Sequence, residues 1–170
     1  RRDLRLGDHP AILAAASDGT EVVPVFVIDP KFDGAGAPRR ALLHDCLVSL
    51  DKSLREASGT GLVIRRGDPT HVIPMLVEEL NAGSVVVSRD YSPYGRTRDA
   101  AVADVLAAGG RSLRGVGSPY AVDPGTVRKG DGNPYAVFTP FSKMWRRTDW
   151  HGPHPWPSDA QWIGAGSAGI

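Results

Sequence analysis

Residues Glu21 to Asp29 (EVVPVFVID) are almost all apolar and mostly β-branched. A strand that faces water on one side alternates polar and apolar residues, and this run does not. It reads as a strand covered on both faces. Shorter strand patterns follow at Leu62 to Arg65, Ser84 to Ser88 and Arg111 to Val116. Helical patterns lie between them. Pro10 to Ala16 is one, with Asp8 in N-cap position. Pro38 to Ala57 is the longest, with Leu43, Leu47, Leu50 and Leu54 in one stripe. Asp68-Pro69 opens a third, whose apolar face is Val72, Ile73, Leu76 and Leu80 and whose Pro74 predicts a kink or a shorter regular part. Arg96 to Ala108 is the fourth, stopped by Gly109-Gly110. Such alternation predicts a parallel α/β sheet with helices on both faces. The charged opening residues read as the exit of one more strand, expected ahead of Arg1.

The 170 residues suffice for one domain with a core. Twenty Lys and Arg offset nineteen Asp and Glu, so net charge does not make this segment a nucleic-acid grip by itself. The single Cys46 excludes an internal disulfide and a Cys-rich zinc site, and its helical setting predicts a small buried hydrophobe. No apolar run reaches the roughly 20 residues that span a bilayer, and no signal peptide is recognisable. A cytoplasmic protein without a membrane partner is expected.

Beyond about Gly117 the periodicity fades. Residues 1–130 read as the α/β domain and 131–170 as a connector. Gly130 to Pro134 is a turn, Asn133 to Trp145 (NPYAVFTPFSKMW) is aromatic-rich, and Trp150 to Trp162 carries three of the four tryptophans. This tail is neither helix nor strand by pattern, and is expected to pack against something.

Ligands of open parallel sheets bind beyond the carboxyl ends of the strands. Those ends here are Arg2-Asp3-Leu4-Arg5, Asp29-Pro30, Arg66-Gly67-Asp68, Arg89-Asp90-Tyr91 and Gly117-Ser118, where charge and aromatics collect. Arg2, Asp3 and Arg5 read as a salt-bridged loop fixing the domain against a partner. Arg39 and Arg40 open the long helix, where a guanidinium can fork onto an anionic or carbonyl-bearing ligand. In Arg89 to Asp99 (RDYSPYGRTRD), Gly95 permits close backbone approach. Arg96 and Arg98 sit on a first helical turn, a poor place for a cation unless it serves a ligand or a carboxylate. There is no Walker loop, no G-x-G-x-x-G and no G-x-S-x-G elbow. His9, His44, His71, His151 and His154 lack metal spacing, and no nucleophile–base set assembles, so neither a metal site nor a catalytic residue is expected.

Four boxes in series, RRDLRLGDHPA, VFVIDP, RGDP and NPYAVFTPFSKMW, resemble the N-terminal domain of the DNA photolyase/cryptochrome family over about 150 of the residues. The resemblance implies a Rossmann-like, doubly wound, five-stranded parallel sheet. It implies FAD in a following all-helical domain, which would be this chain's partner and would repair pyrimidine dimers in damaged DNA. The segment itself would not catalyse, but would hold an antenna chromophore. Family members that use methenyltetrahydrofolate carry Asn-Glu where this chain has Tyr94-Gly95. The P-Y-G-R-x-R-D form is similar to members that use 8-hydroxy-5-deazaflavin, which is therefore favoured. Carried over residue by residue, the chromophore contacts are Arg40, Asp90, Gly95 and Arg98, with Phe26, Leu42 and Leu43 as apolar walls. Two other readings are a cryptochrome photoreceptor domain and a stand-alone nucleotide-binding module of universal-stress-protein type. The isolated segment would be a monomer, or a dimer in crystals through surface meant for the helical domain.

Overall fold

The structure, a computed structural model, describes residues 3–19, 21–150 and 152–165. Arg2 lies outside them. In chain order the elements are α1 (Pro10–Asp18), β1 (Glu21–Val22), β2 (Val25–Ile28), α2 (Ala37–Ser58), β3 (Val63–Arg66), α3 (Pro69–Glu79), β4 (Ser84–Val87), α4 (Pro93–Ala108), β5 (Ser112–Gly115), α5 (Phe138–Trp145) and β6 (Gln161–Trp162). All ladders are parallel: β2 with β3, β4 with β5, and β1 with β6. The α/β alternation and parallel pairing match the sequence reading. The long 21–29 run is divided, because Pro24 has no N–H to donate.

Two apolar cores flank the strands. Leu47, Leu54, Leu62 and Ile64 centre one, with Leu4, Leu6, Phe26, Ile28, Leu43, Leu50 and Trp156 packed against it. Val77, Val102 and Leu106 centre the other, beneath α3 and α4.

Several local expectations are corrected. The N-cap of α1 is His9, whose Nδ1 accepts from Ile12 N at 3.3 Å. Asp8 instead takes a left-handed backbone (φ 51). Its carboxylate and N–H meet the backbone of His154 at 3.4 and 2.8 Å. α3 runs through Pro74 to Glu79. α4 begins at Pro93, three residues before the predicted start, because Pro93 suits a first helical turn and Ser92 caps it. The tail is ordered: α5 forms, and β6 returns to pair with β1. Trp156 and Trp162 stack at 4.4 Å, and Thr60 Oγ1 donates to Trp162 O at 3.0 Å. No periodicity in 150–162 marks the return of β6, because its partners β1 and Thr60 lie a hundred or more residues away. Among the described residues no helix is long and apolar enough to cross a membrane.

Candidate functional site

The site residues on α4 are assembled by one carboxylate. Asp90 Oδ1 accepts from Ser92 N at 2.9 Å and from Ser92 Oγ at 2.8 Å. That same Ser92 hydroxyl accepts from Gly95 N at 3.0 Å, so Asp90 sits behind the N-cap of α4. Asp90 Oδ2 takes Arg98 Nη2 at 3.4 Å, and Asp99 Oδ1 takes Arg98 Nε and Nη2 at 3.0 and 2.9 Å. These three charged side chains are about five-sixths buried. The cation that looked misplaced on a first turn therefore serves two carboxylates. Gly95 is buried, and a Cβ there would overlap the Asp90 carboxyl group.

Tyr94 ties this turn to β2. Its hydroxyl donates to Asp29 Oδ2, Phe32 meets its ring edge-on at 5.4 Å, and the Arg98 guanidinium lies 5.7 Å from its centroid. Burial and the bond to the Asp29 carboxylate push the Tyr94 phenol up to about 12. Sequence reasoning missed this link. Its signals were the Asp-Pro that ends β2 and a tyrosine on a helix start, but no local pattern joins residues 65 apart.

The α2 candidates are placed differently. Arg40 is exposed, and its Nη1 donates to the carbonyls of Asp33 and Ala35 at 3.0 and 2.7 Å, fastening the turn ahead of α2. Leu42 is 65% exposed and faces away from the core. Phe26 and Leu43 are half-buried and share the first core with Leu4 and Leu6. The structure thus brings Asp90, Gly95 and Arg98 together, and separately Phe26 and Leu43.

The opening box joins these regions. Asp3 is buried and lies against Ser88 at the end of β4, and His9 Nε2 is 3.3 Å from its Oδ2. Burial pushes the Asp3 carboxyl up, but the Ser88 hydroxyl and His9 outweigh it and leave it below the ordinary value. Burial pushes His9 down, with Asp3 opposing. A neutral His9 with its proton on Nε2 satisfies both ring contacts, donating to Asp3 and accepting from Ile12. Arg5 forks onto the Asp8 carbonyl at 3.1 and 2.7 Å, a loop-internal role. A narrow crevice of about 10 Å³ is lined by Asp3, Ser88, Asp90 and Tyr91. One residue further along the chain, Leu4, Arg5 and Leu6 form a wall of a groove of about 320 Å³, closed on the α2 side by Cys46, Ser49 and Leu50. Cys46 is thus half-buried on a groove and not in the core. Among the described residues no group of three His, Cys, Asp or Glu could hold a metal ion.

The parallel strands and flanking helices make this an α/β domain, and sheets of that class place ligands beyond the strand ends, the edge at which its polar and aromatic groups gather. The DNA photolyase family model matches residues 1–160, and the chain belongs to that family. The deoxyribodipyrimidine photo-lyase of a Synechococcus strain is 37% identical over 149 residues, covering 86% of this chain and 31% of the relative. A bacterial class III photolyase from Agrobacterium tumefaciens superposes with a TM-score of 0.89 at 31% identity, over 99% of this chain and 36% of the other. An archaeal photolyase from Sulfolobus tokodaii, solved with two FAD molecules, shares the fold with a TM-score of 0.80 at 23% identity. The chain spans about a third of the length of these relatives.

Proposed function

We propose that this chain is the light-harvesting domain of a deoxyribodipyrimidine photolyase, in which a following helical, FAD-holding part of the polypeptide repairs pyrimidine dimers. The observation that carries the reading is the family match over 160 residues to the N-terminal third of enzymes named for that activity. When bound, the flavin supplies the electron chemistry of repair. In this reading the work of the described residues is binding and orientation.

An antenna chromophore needs an apolar slot large enough for a planar ring system, bounded by rigid polar groups. The 320 Å³ groove is within that range, and Leu4, Leu6 and Leu50 on its wall belong to the same apolar core as Phe26 and Leu43. The Asp90–Gly95–Arg98 turn does not line this groove; it is a charge-compensated polar group whose Asp90 lines the smaller crevice. Arg40 lies on the exposed start of α2, where exchanging its two carbonyl partners for a chromophore oxygen costs little. We assign Asp90, Gly95, Arg98, Arg40, Phe26, Leu43 and Leu42 as the residues toward an 8-hydroxy-5-deazaflavin, in preference to methenyltetrahydrofolate.

The test is the absorption spectrum and dimer-repair activity of the natural full-length polypeptide, co-expressed with deazaflavin supply. Flavin with a deazaflavin band and light-dependent repair is the expected result. Flavin and repair without the second band would discard the chromophore assignment alone. Flavin without repair would turn the reading to a cryptochrome, and no flavin at all would overturn it.

A further inference from the structure

The first helix is capped by a group that can lose its acceptor. Most N-caps are Ser, Thr, Asp or Asn, whose side-chain oxygens accept a hydrogen bond throughout the neutral range. Here the acceptor is a ring nitrogen: Ile12 N donates to His9 Nδ1 at 3.3 Å. The other ring nitrogen, Nε2, lies 3.3 Å from Asp3 Oδ2, and the two side chains are only 13% and 8% exposed. A neutral imidazole accepts at one nitrogen and donates at the other, whereas an imidazolium donates from both. The cap and an added proton therefore compete for the same lone pair on Nδ1.

The surroundings decide which ring contact gives way. Although burial pushes its carboxyl up, the Ser88 hydroxyl and His9 hold Asp3 below its ordinary value, so it stays an acceptor for Nε2–H in either charge state of the ring. A proton on Nδ1 instead meets the Ile12 N–H head-on. Burial pushes His9 down, Asp3 opposes and Arg5 adds to the downward push. Asp8 is the next charged group along the chain, and His154 of the tail lies beside it. β4, against which α1 packs, carries no titratable side chain, and the Asp18–Arg114 pair and Glu21 of β1 lie at the far end of α1.

The cap is joined to a second contact that needs support. Asp8 holds a left-handed backbone (φ 51), which a residue other than glycine keeps only where its neighbours fix it. Arg5 fixes the Asp8 carbonyl from one side, at 3.1 and 2.7 Å. The tail fixes Asp8 from the other: Asp8 N donates to His154 O at 2.8 Å, and His154 N donates to Asp8 Oδ1 at 3.4 Å. Pro10 then lies against the backbone of Gly117, where a Cβ would overlap its ring. The opening loop, the first turn of α1 and the tail thus meet around one imidazole.

We propose that His9 is a proton-operated latch: neutral, it closes the first turn of α1 and steadies the clip between Asp8 and His154; protonated, it keeps Asp3, releases Ile12, and lets turn and clip loosen together. The core around Leu47, Leu54 and Ile64 takes no part, so acid acts on the seating of the tail and not on the whole fold. The sign follows from the ring's burial. A histidine that binds its proton more weakly folded than open contributes fully above about pH 6.5, and its contribution declines as the pH falls below that value. This inference is independent of the light-harvesting proposal.

The experiment is residue-resolved amide hydrogen exchange, with nitrogen-15 spectra of the imidazoles, on the natural full-length polypeptide between about pH 7.5 and pH 5. At the upper end His9 should carry its proton on Nε2 and none on Nδ1. An opened turn takes up a proton with the ordinary affinity of histidine, so each unit below about pH 6.5 raises opening by up to about tenfold. After correction for the intrinsic pH dependence of exchange, protection of the Ile12 and Asp8 amides is expected to fall about tenfold across the range, while that of Ile64 holds. His9→Asn, which caps without titrating, should abolish the fall. His154→Gln, which keeps the backbone clip, should leave it in place. A proton on Nδ1 at the upper end, or constant protection of Ile12 and Asp8, would overturn the proposal without any variant. So would a fall that persists in His9→Asn or disappears in His154→Gln.

Discussion

The first turn of α4 and the first turns of α2 look alike in sequence: each offers a proline, arginines and a small residue after a strand. In the structure they are opposites. At α4 the Ser92 cap and Arg98 close on Asp90, and Arg98, Asp90 and Asp99 are about five-sixths buried. At α2 Arg39, Arg40 and Leu42 are exposed, and Gly36 caps the helix with no side-chain bond. The difference lies in the acceptors within reach. A carboxylate two residues ahead of Ser92 can cap and neutralise a helix start; ahead of α2 the Asp33 carboxylate pairs with Arg66, and Arg40 bonds the carbonyls of Asp33 and Ala35. The same residue type is therefore a structural keystone in one place and an available ligand group in the other.

Gly95→Ala should show the contrast most strongly. Within an ordinary helix the change stabilises by about 1 kcal/mol. Here the added methyl overlaps the Asp90 carboxyl group, and overpacking of this kind costs about 1–3 kcal/mol. A thermal melt should move down by several degrees, and an upward shift would refute the keystone role.

Ser92→Ala removes the cap and one Asp90 partner, with an expected loss of about 1 kcal/mol in chemical denaturation. A smaller effect, on alkaline stability, is expected from Tyr94. Its folded pKa of about 12 lies above the ordinary value of 10.0, so the neutral phenol stabilises the fold fully below about pH 10. That contribution falls as pH rises from 10 toward 12, and Tyr94→Phe should flatten the stability profile in that window. An unchanged profile would show that the Asp29 contact does not hold in solution.

Leu42→Ala and Arg40→Ala should lie at the other extreme, within about 0.5 kcal/mol of the parent. If Arg40 holds the chromophore, Arg40→Ala in the full-length protein should lower chromophore retention while its melt stays put. Equal retention removes Arg40 from the site.

Much of this was legible in the residues. The apolar run at 21–29 called for cover on both faces; in the structure Val22 is buried and Val25–Ile28 are half-buried. The four boxes in series pointed to the family that the comparisons show. The local corrections have short-range causes that compete with pattern: Pro24 interrupts a strand, and Asp8 adopts a left-handed backbone that leaves the cap to His9. Asp29 with Tyr94, Asp3 with Ser88, and β1 with β6 were not legible, because each joins partners whose spacing in sequence carries no period.

By itself, then, the sequence determined the element types as far as about Gly117, the parallel pairing there and the edge at which charged residues gather, since those follow from hydrophobic period and from the polarity of strand ends. Only the tertiary structure decided which charges are already compensated. Arg98 and Arg40 are chemically identical, but folding buries the first between Asp90 and Asp99 as a brace and leaves the second exposed on the carbonyls of Asp33 and Ala35.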